Sequence, residues 1–78
     1  MPTVLRWGSY RAFFYSNDRS EPAHVHVRSG SNEAKFWLAD LSVAINIGFR
    51  PHELNGIIRK LREHRDELKA AWDEHFGN

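Results

Sequence analysis

The run A-H-V-H-V, Ala23 to Val27, is the feature that most narrows what this chain can become. Strict alternation of apolar and polar residues belongs to a half-buried β-strand, because successive side chains leave the backbone on opposite sides. Ala23, Val25 and Val27 are therefore expected to face inward. His24, His26 and Arg28 stand together on the other side, as either a working site or a polar surface.

The next residues supply the partner for this strand. R-S-G-S-N-E is a turn sequence, and A-K-F-W-L follows it, so a hairpin with a two- or four-residue loop centred on Gly30-Ser31 is predicted. Arg28 then faces Glu33, His26 faces Lys35 and His24 faces Trp37, while Val27, Val25 and Ala23 meet Ala34, Phe36 and Leu38. Both runs agree on which side is buried, and that agreement is what specifies register. An earlier hairpin is predicted from T-V-L-R-W and Y-R-A-F-F-Y-S around Gly8-Ser9, where glycine suits the positive φ of a type II′ turn. Its register pairs Trp7 with Tyr10, Arg6 with Arg11, Leu5 with Ala12 and Val4 with Phe13. Leu5, Trp7, Tyr10, Ala12 and Phe14 share one side; Val4, Arg6, Arg11, Phe13 and Tyr15 share the other.

S-N-D-R-S-E-P reads as an exposed loop. A-D-L-S-V-A-I-N-I-G-F fits a fifth strand better than a helical turn for its β-branched content. Beyond Gly48 the period becomes helical: Pro51 suits the first helical position, Glu53 favours the positive end of the dipole, and Leu54, Ile57, Ile58, Leu61, Leu68, Trp72 and Phe76 form one stripe ending near Gly77. Arg65 interrupts that stripe. Either the helix bends or breaks between Glu63 and Asp66, or the arginine reaches past the sheet edge to an acid or a partner, its stem covering apolar surface.

The expected fold is thus α+β: an antiparallel sheet of four or five strands built from two hairpins, with a C-terminal amphipathic helix packed on one face, all in a single domain over residues 1–78. Five phenylalanines, three tryptophans and two tyrosines make a core feasible at this length. The absence of cysteine excludes disulfides and thiolate zinc sites, and with no apolar leader or membrane-length run a cytoplasmic chain is expected. A net charge of +1 gives no general attraction for nucleic acid and leaves only local patches to consider.

The blocks P-T-V-L-R, F-F-Y-S-N-D, E-P-A-H-V-H-V, E-A-K-F-W-L, the G-F before the last helix and the closing A-W-D-E-H-F-G together resemble a small bacterial family, domain-of-unknown-function family 4160. The likeness covers nearly the whole chain. It implies a resemblance to components of two-gene toxin–antitoxin modules, with a cognate small protein encoded alongside, and it transfers no catalytic residue. Arg50 stands where relatives tend to carry a serine cap, and His75 where a tyrosine or phenylalanine is more usual.

Three uses of the outward face follow from the residues. A metal would need a third ligand that no spacing singles out, and Lys35 opposite His26 would repel it, so neither metal nor cofactor is expected. A metal-independent ribonuclease would use His24 and His26 as acid and base, with Lys35, Arg28 or Arg11 stabilising charge and Trp37 and Tyr15 stacking on bases. A binding surface would use Arg6, Arg11, Tyr15, Arg28 and Trp37. Directly opposed arginines at 6 and 11 call for something negative nearby: phosphate, a partner's carboxylate, or an internal one such as Asp18, Glu21 or Asp40. The leading expectation is an interaction module of toxin–antitoxin type that recognises a cognate protein or RNA; the ribonuclease is the alternative. Aromatics on both sides of the sheet also suit a second copy as cover.

Overall fold

Two glycines set the sheet. Gly8 and Gly30 adopt φ of +53° and +60°, and each opens a two-residue loop joining antiparallel strands, as a type II′ turn requires. In the computed structural model, which describes residues 3–16 and 18–77, these hairpins are β1 (Thr3–Trp7) with β2 (Tyr10–Phe13) and β3 (His24–Ser29) with β4 (Asn32–Trp37). A 3₁₀ turn, Asp18–Ser20, lies in the connecting loop. The apolar segment after β4 does form a strand, β5 (Val43–Ile47). The sheet runs in sequence order, β1-β2-β3-β4-β5, with every neighbour antiparallel.

The second hairpin has the predicted register throughout, from Ser29 opposite Asn32 to His24 opposite Trp37. The first keeps it for three pairs and then departs from it. Thr3, rather than Val4, meets Phe13, because an irregularity between Thr3 and Leu5 inserts a residue. Such a bulge re-aims a side chain, and Val4 packs against the core instead of pointing away from it.

One face of the sheet carries Ala12, Phe14, Val25, Val27, Ala34, Phe36 and Leu38, all buried. Two helices, α1 (Pro51–Glu63) and α2 (Arg65–Phe76), supply Ile57, Leu61, Leu68, Trp72 and Phe76 to the same cluster. Each fully buried side chain of this size contributes roughly 1.5–3 kcal/mol. None of the helices among the described residues is long and apolar enough to cross a membrane.

The interrupted stripe resolves as a break. His64 leaves helical geometry at φ −116° and ψ 20°, and Arg65 begins α2. Its Nε donates to the Leu38 carbonyl at 3.2 Å, and a second guanidinium nitrogen donates to the carbonyl of Ala39. The arginine thus satisfies backbone acceptors past the end of β4, and that explains a cation in an apolar stripe. At the start of α1, Glu53 accepts the Arg50 N–H at 2.8 Å, so half of a capping box survives without a hydroxyl cap.

The β4–β5 connection is tightly held. Leu41 adopts φ +59° while nearly fully buried, a left-handed conformation that costs a branched residue about 1–3 kcal/mol. The loop compensates with hydrogen bonds: Leu41 N–H to Trp37 O at 2.8 Å, Trp37 N–H to Ser42 O at 3.0 Å, and Ser42 Oγ–H and N–H to Asp40 Oδ1 at 2.7 and 2.9 Å. The Ser42 hydroxyl, then its N–H, holds the Asp40 carboxyl below its ordinary 3.8, with a smaller contribution from the Arg65 charge. A lowered carboxyl stabilises the fold above its unfolded value and ceases to do so as pH falls through the folded one. Acid titrations of unfolding should therefore show the stability gap between wild type and Ser42→Ala narrowing below pH 3.8.

Gly48 follows β5 at φ +96°, and a Cβ there would sit 2.1 Å from Asn32 Oδ1. Gly48→Ala combines a forbidden conformation with a collision. It should cost about 2 kcal/mol or more in urea unfolding, whereas Gly56→Ala, in open helix with nothing nearby, should stabilise by up to about 1 kcal/mol.

Candidate functional site

The alternation that sends the valines of β3 toward the helices sends all the singled-out residues the other way. Cross-strand pairing lines up Arg6, Arg11, Arg28, Glu33 and Ile47 as one row, and Thr3, Phe13, His26, Lys35 and Ile45 as the next. His24 and Trp37 pair in a third. Tyr15, just past β2, joins them through an edge-on contact with the His26 ring at 4.5 Å. Both hairpins thus present their chosen residues on one face, which no helix covers broadly.

Depth is where the sequence reading needs correction. It places the imidazoles on a polar surface, but His24 is 0% and His26 8% exposed. The His26 ring stacks on Phe13 at 5.6 Å and meets the Tyr15 ring in a T-shaped contact. The His24 ring lies among His26, Trp37 and Trp72, at 5.1, 5.7 and 5.2 Å. Trp72 also meets Phe14 edge-on at 5.3 Å, so this α2 side chain straddles the end of the sheet and touches residues from both faces. A carbonyl can only accept, so the 2.8 Å contact between His24 Nδ1 and Pro22 O places the ring proton on Nδ1.

Two carboxylates organise the polar groups. Glu33 accepts from the Tyr15 hydroxyl at 2.9 and 3.2 Å and lies 3.6 Å from His26 Nδ1 and 3.8 Å from Arg28 Nε. Glu21 forms an ion pair with Lys35 and sits 3.9 Å from His24 Nε2. Lys35 also lies over the Trp37 ring at 4.8 Å. Lys35, read from the sequence as a charge stabiliser, is therefore committed to Glu21 and Trp37. The side chain of Asp18 lies outside the described residues.

Arg6 and Arg11 are different. They stand directly opposite each other, with Arg28 opposite Arg11 in turn. Among the described residues neither Arg6 nor Arg11 has a carboxylate at ion-pair distance; the Arg11 guanidinium rests over Phe13 at 4.7 Å. The internal salt-bridge network expected from the sequence thus takes in Arg28 and Lys35 but stops short of this pair. Asp40 is engaged by Ser42 instead.

Between His26, Glu33, Ala34, Lys35, Ile45 and Ile47 the open face dips into a depression of about 100 Å³, below the volume of about 300 Å³ usual for a small-molecule site; a wider one of about 410 Å³ lies past the end of β4, lined by Trp37 with Pro22, Leu38, Asp40 and Lys69. Among the described residues no three His, Asp or Glu side chains come together to hold a metal ion. The exposed aliphatics of β5 escaped the sequence reading; pairing with β4 sets Ile45 and Ile47 beside Lys35 and Glu33 on this face, while a register shift leaves Val43 opposite Phe36.

The profile of a family described as Domain of unknown function (DUF4160) matches residues 9–73. The chain belongs to that family. The DUF4160 match takes in β2 to β5, α1 and most of α2, and with them Arg11, both histidines and both organising glutamates; Arg6 on β1 precedes it. Neither curated proteins nor solved structures give a match to the chain.

The Glu33 cluster should be energetically coupled. Glu33→Gln weakens a charge-assisted bond to Tyr15 and should lower stability by about 1–2 kcal/mol. Tyr15→Phe added to that variant should cost less than Tyr15→Phe alone, which a double-mutant cycle in urea measures directly.

Proposed function

We propose that this DUF4160 chain is a cytoplasmic interaction module, one half of a bacterial two-gene pair of toxin–antitoxin type, and that it docks the small protein encoded alongside it through the arginine-bearing half of the open sheet face. One observation carries this reading: Arg6, Arg11 and Arg28 stand in line on three adjacent strands, while Glu33 reaches only Arg28. Like charges directly opposite in a sheet are destabilising, so this row is a local cost to folding that a partner's carboxylates would offset. Arginine's planar fork suits that pairing.

The same face is less suited to RNA. Base recognition in single strands needs open aromatic faces for stacking, and here the Phe13 ring is buried between Arg11 and His26, and Lys35 lies over Trp37. Ribonuclease chemistry is supported less still. A general acid or base must come within hydrogen-bond reach of its substrate, and the His24 ring is wholly out of solvent while Lys35 is ion-paired.

Co-expression with the product of the adjacent gene, followed by affinity measurement on the purified pair, tests the proposal. Arg6→Gln and Arg11→Gln should each weaken binding about tenfold or more, equivalent to about 1.4 kcal/mol. Each should also stabilise the free protein, by a few tenths to about 1 kcal/mol, because a like-charge contact is removed. Unchanged affinity in the double variant would refute the arginine row as the docking surface. So would a single-stranded RNA that binds more tightly than the cognate protein, with affinity falling steeply as salt rises.

A further inference from the structure

The open face changes character from one edge of the sheet to the other. Along the row that crosses all five strands, Arg6, Arg11 and Arg28 come first, then Glu33, then Ile47. Glu33 lies low, its side chain 22% exposed and shared between Tyr15, His26 and Arg28. In the next row Lys35 is 11% exposed and paired with Glu21, and Ile45 follows it on β5. The middle of the face is therefore satisfied within the chain. What stands out of it are cations at the β1 end and two isoleucines at the β5 end, 50 and 61% exposed. The depression bounded by Ile45 and Ile47, too small for a free ligand, has the size of one aliphatic side chain.

We propose that the cognate partner covers this face with a single amphipathic α-helix laid across the strands, its carboxylates over the arginine row and an aliphatic side chain seated beside Ile45 and Ile47. The proposal rests on the docking reading above and extends it from the arginine-bearing half to the whole row.

Spacing favours a helix. Neighbouring strands lie about 4.8 Å apart, so the row from Arg6 to Ile47 spans roughly 19 Å. A helix presents the same side every three or four residues, about every 5 Å along its axis, which gives one partner side chain for each strand crossed. An extended segment presents the same side only every ~6.7 Å, and it falls out of step by a whole strand before reaching β5. Hydrogen bonding favours the same choice. The backbone groups of β2, β3 and β4 pair with the strands beside them, so the face, unlike an edge, offers none to an incoming chain. An extended segment buried there would leave its own N–H and C=O groups without partners, whereas a helix satisfies them internally. A packed sheet would have to match the next row as well, where Phe13 and His26 are buried and Lys35 is paired. The helix must carry acids at i, i+3 or i+4, and i+7 for the three arginines, and an aliphatic residue roughly 11 to 14 positions after the first acid for the isoleucines.

The chain has no cysteine, so Arg6→Cys and Ile47→Cys can each carry a short photo-crosslinker at one end of the row. With the co-expressed partner in excess, mass spectrometry should find both attachment sites in one partner segment, roughly 11 to 14 residues apart, as ~19 Å of helix requires. Sites about six residues apart, the interval for an extended segment, or sites on two separate segments would overturn the helix. Ile45→Ser and Ile47→Ser should each raise the dissociation constant of the purified pair about tenfold, with the melting temperature of the free protein unchanged because both positions are at least half exposed. Unchanged affinity in the variant carrying both serines would also overturn it. Any of these failures alongside weakened binding in Arg6→Gln and Arg11→Gln removes the helix and keeps the arginine docking surface, while a partner that does not bind at all removes both.

Discussion

Strand β3 sits at the centre of the sheet and is buried on both sides, and most of the remaining architecture answers that constraint. An antiparallel strand commonly faces a core on one side and water on the other. Here Val25 and Val27 meet the helices, while His24 and His26 are also removed from water. Among the described residues no second layer of helices covers the imidazoles. Their cover comes from Phe13, Tyr15 and Trp37 on the sheet itself, together with Trp72, which α2 carries round the end of the sheet. The helix break at His64 belongs to the same arrangement, because Arg65 beyond it ties the start of α2 to the carbonyls at the end of β4.

Burying imidazoles requires polar partners for them, and that requirement determines where the two available glutamates go. Glu33 is drawn to Tyr15 and His26, Glu21 to Lys35 and the neighbourhood of His24. Arg28 shares in the first group. Arg6 and Arg11, further along the sheet, are left facing each other without a described carboxylate. The cationic character of that corner is thus a consequence of how the aromatic centre is satisfied, and not of net charge, which is only +1.

Much of this geometry is legible in the residues because it is local. Turn glycines and two-residue alternation give both hairpins and, apart from the bulge at Val4, their register. They also give the common side of Arg11, His26 and Lys35. Arg65 inside an apolar stripe marks the break in the helix. What stays hidden is non-local. Nothing around His24 announces that Trp72, at the far end of the chain, closes over it, and alternation alone says which side a residue takes but not how deep it lies. The bulge at Val4 is similarly invisible, since V-L-R-W alternates acceptably in either register. The family match adds the span of the likeness, residues 9–73, and leaves the chemistry to the residues.

The two ends of the open face differ in the forces they can offer. The arginine row acts through charge, which reaches across solvent and is weakened by salt; the β5 edge acts through aliphatic contact, which acts only at touching distance.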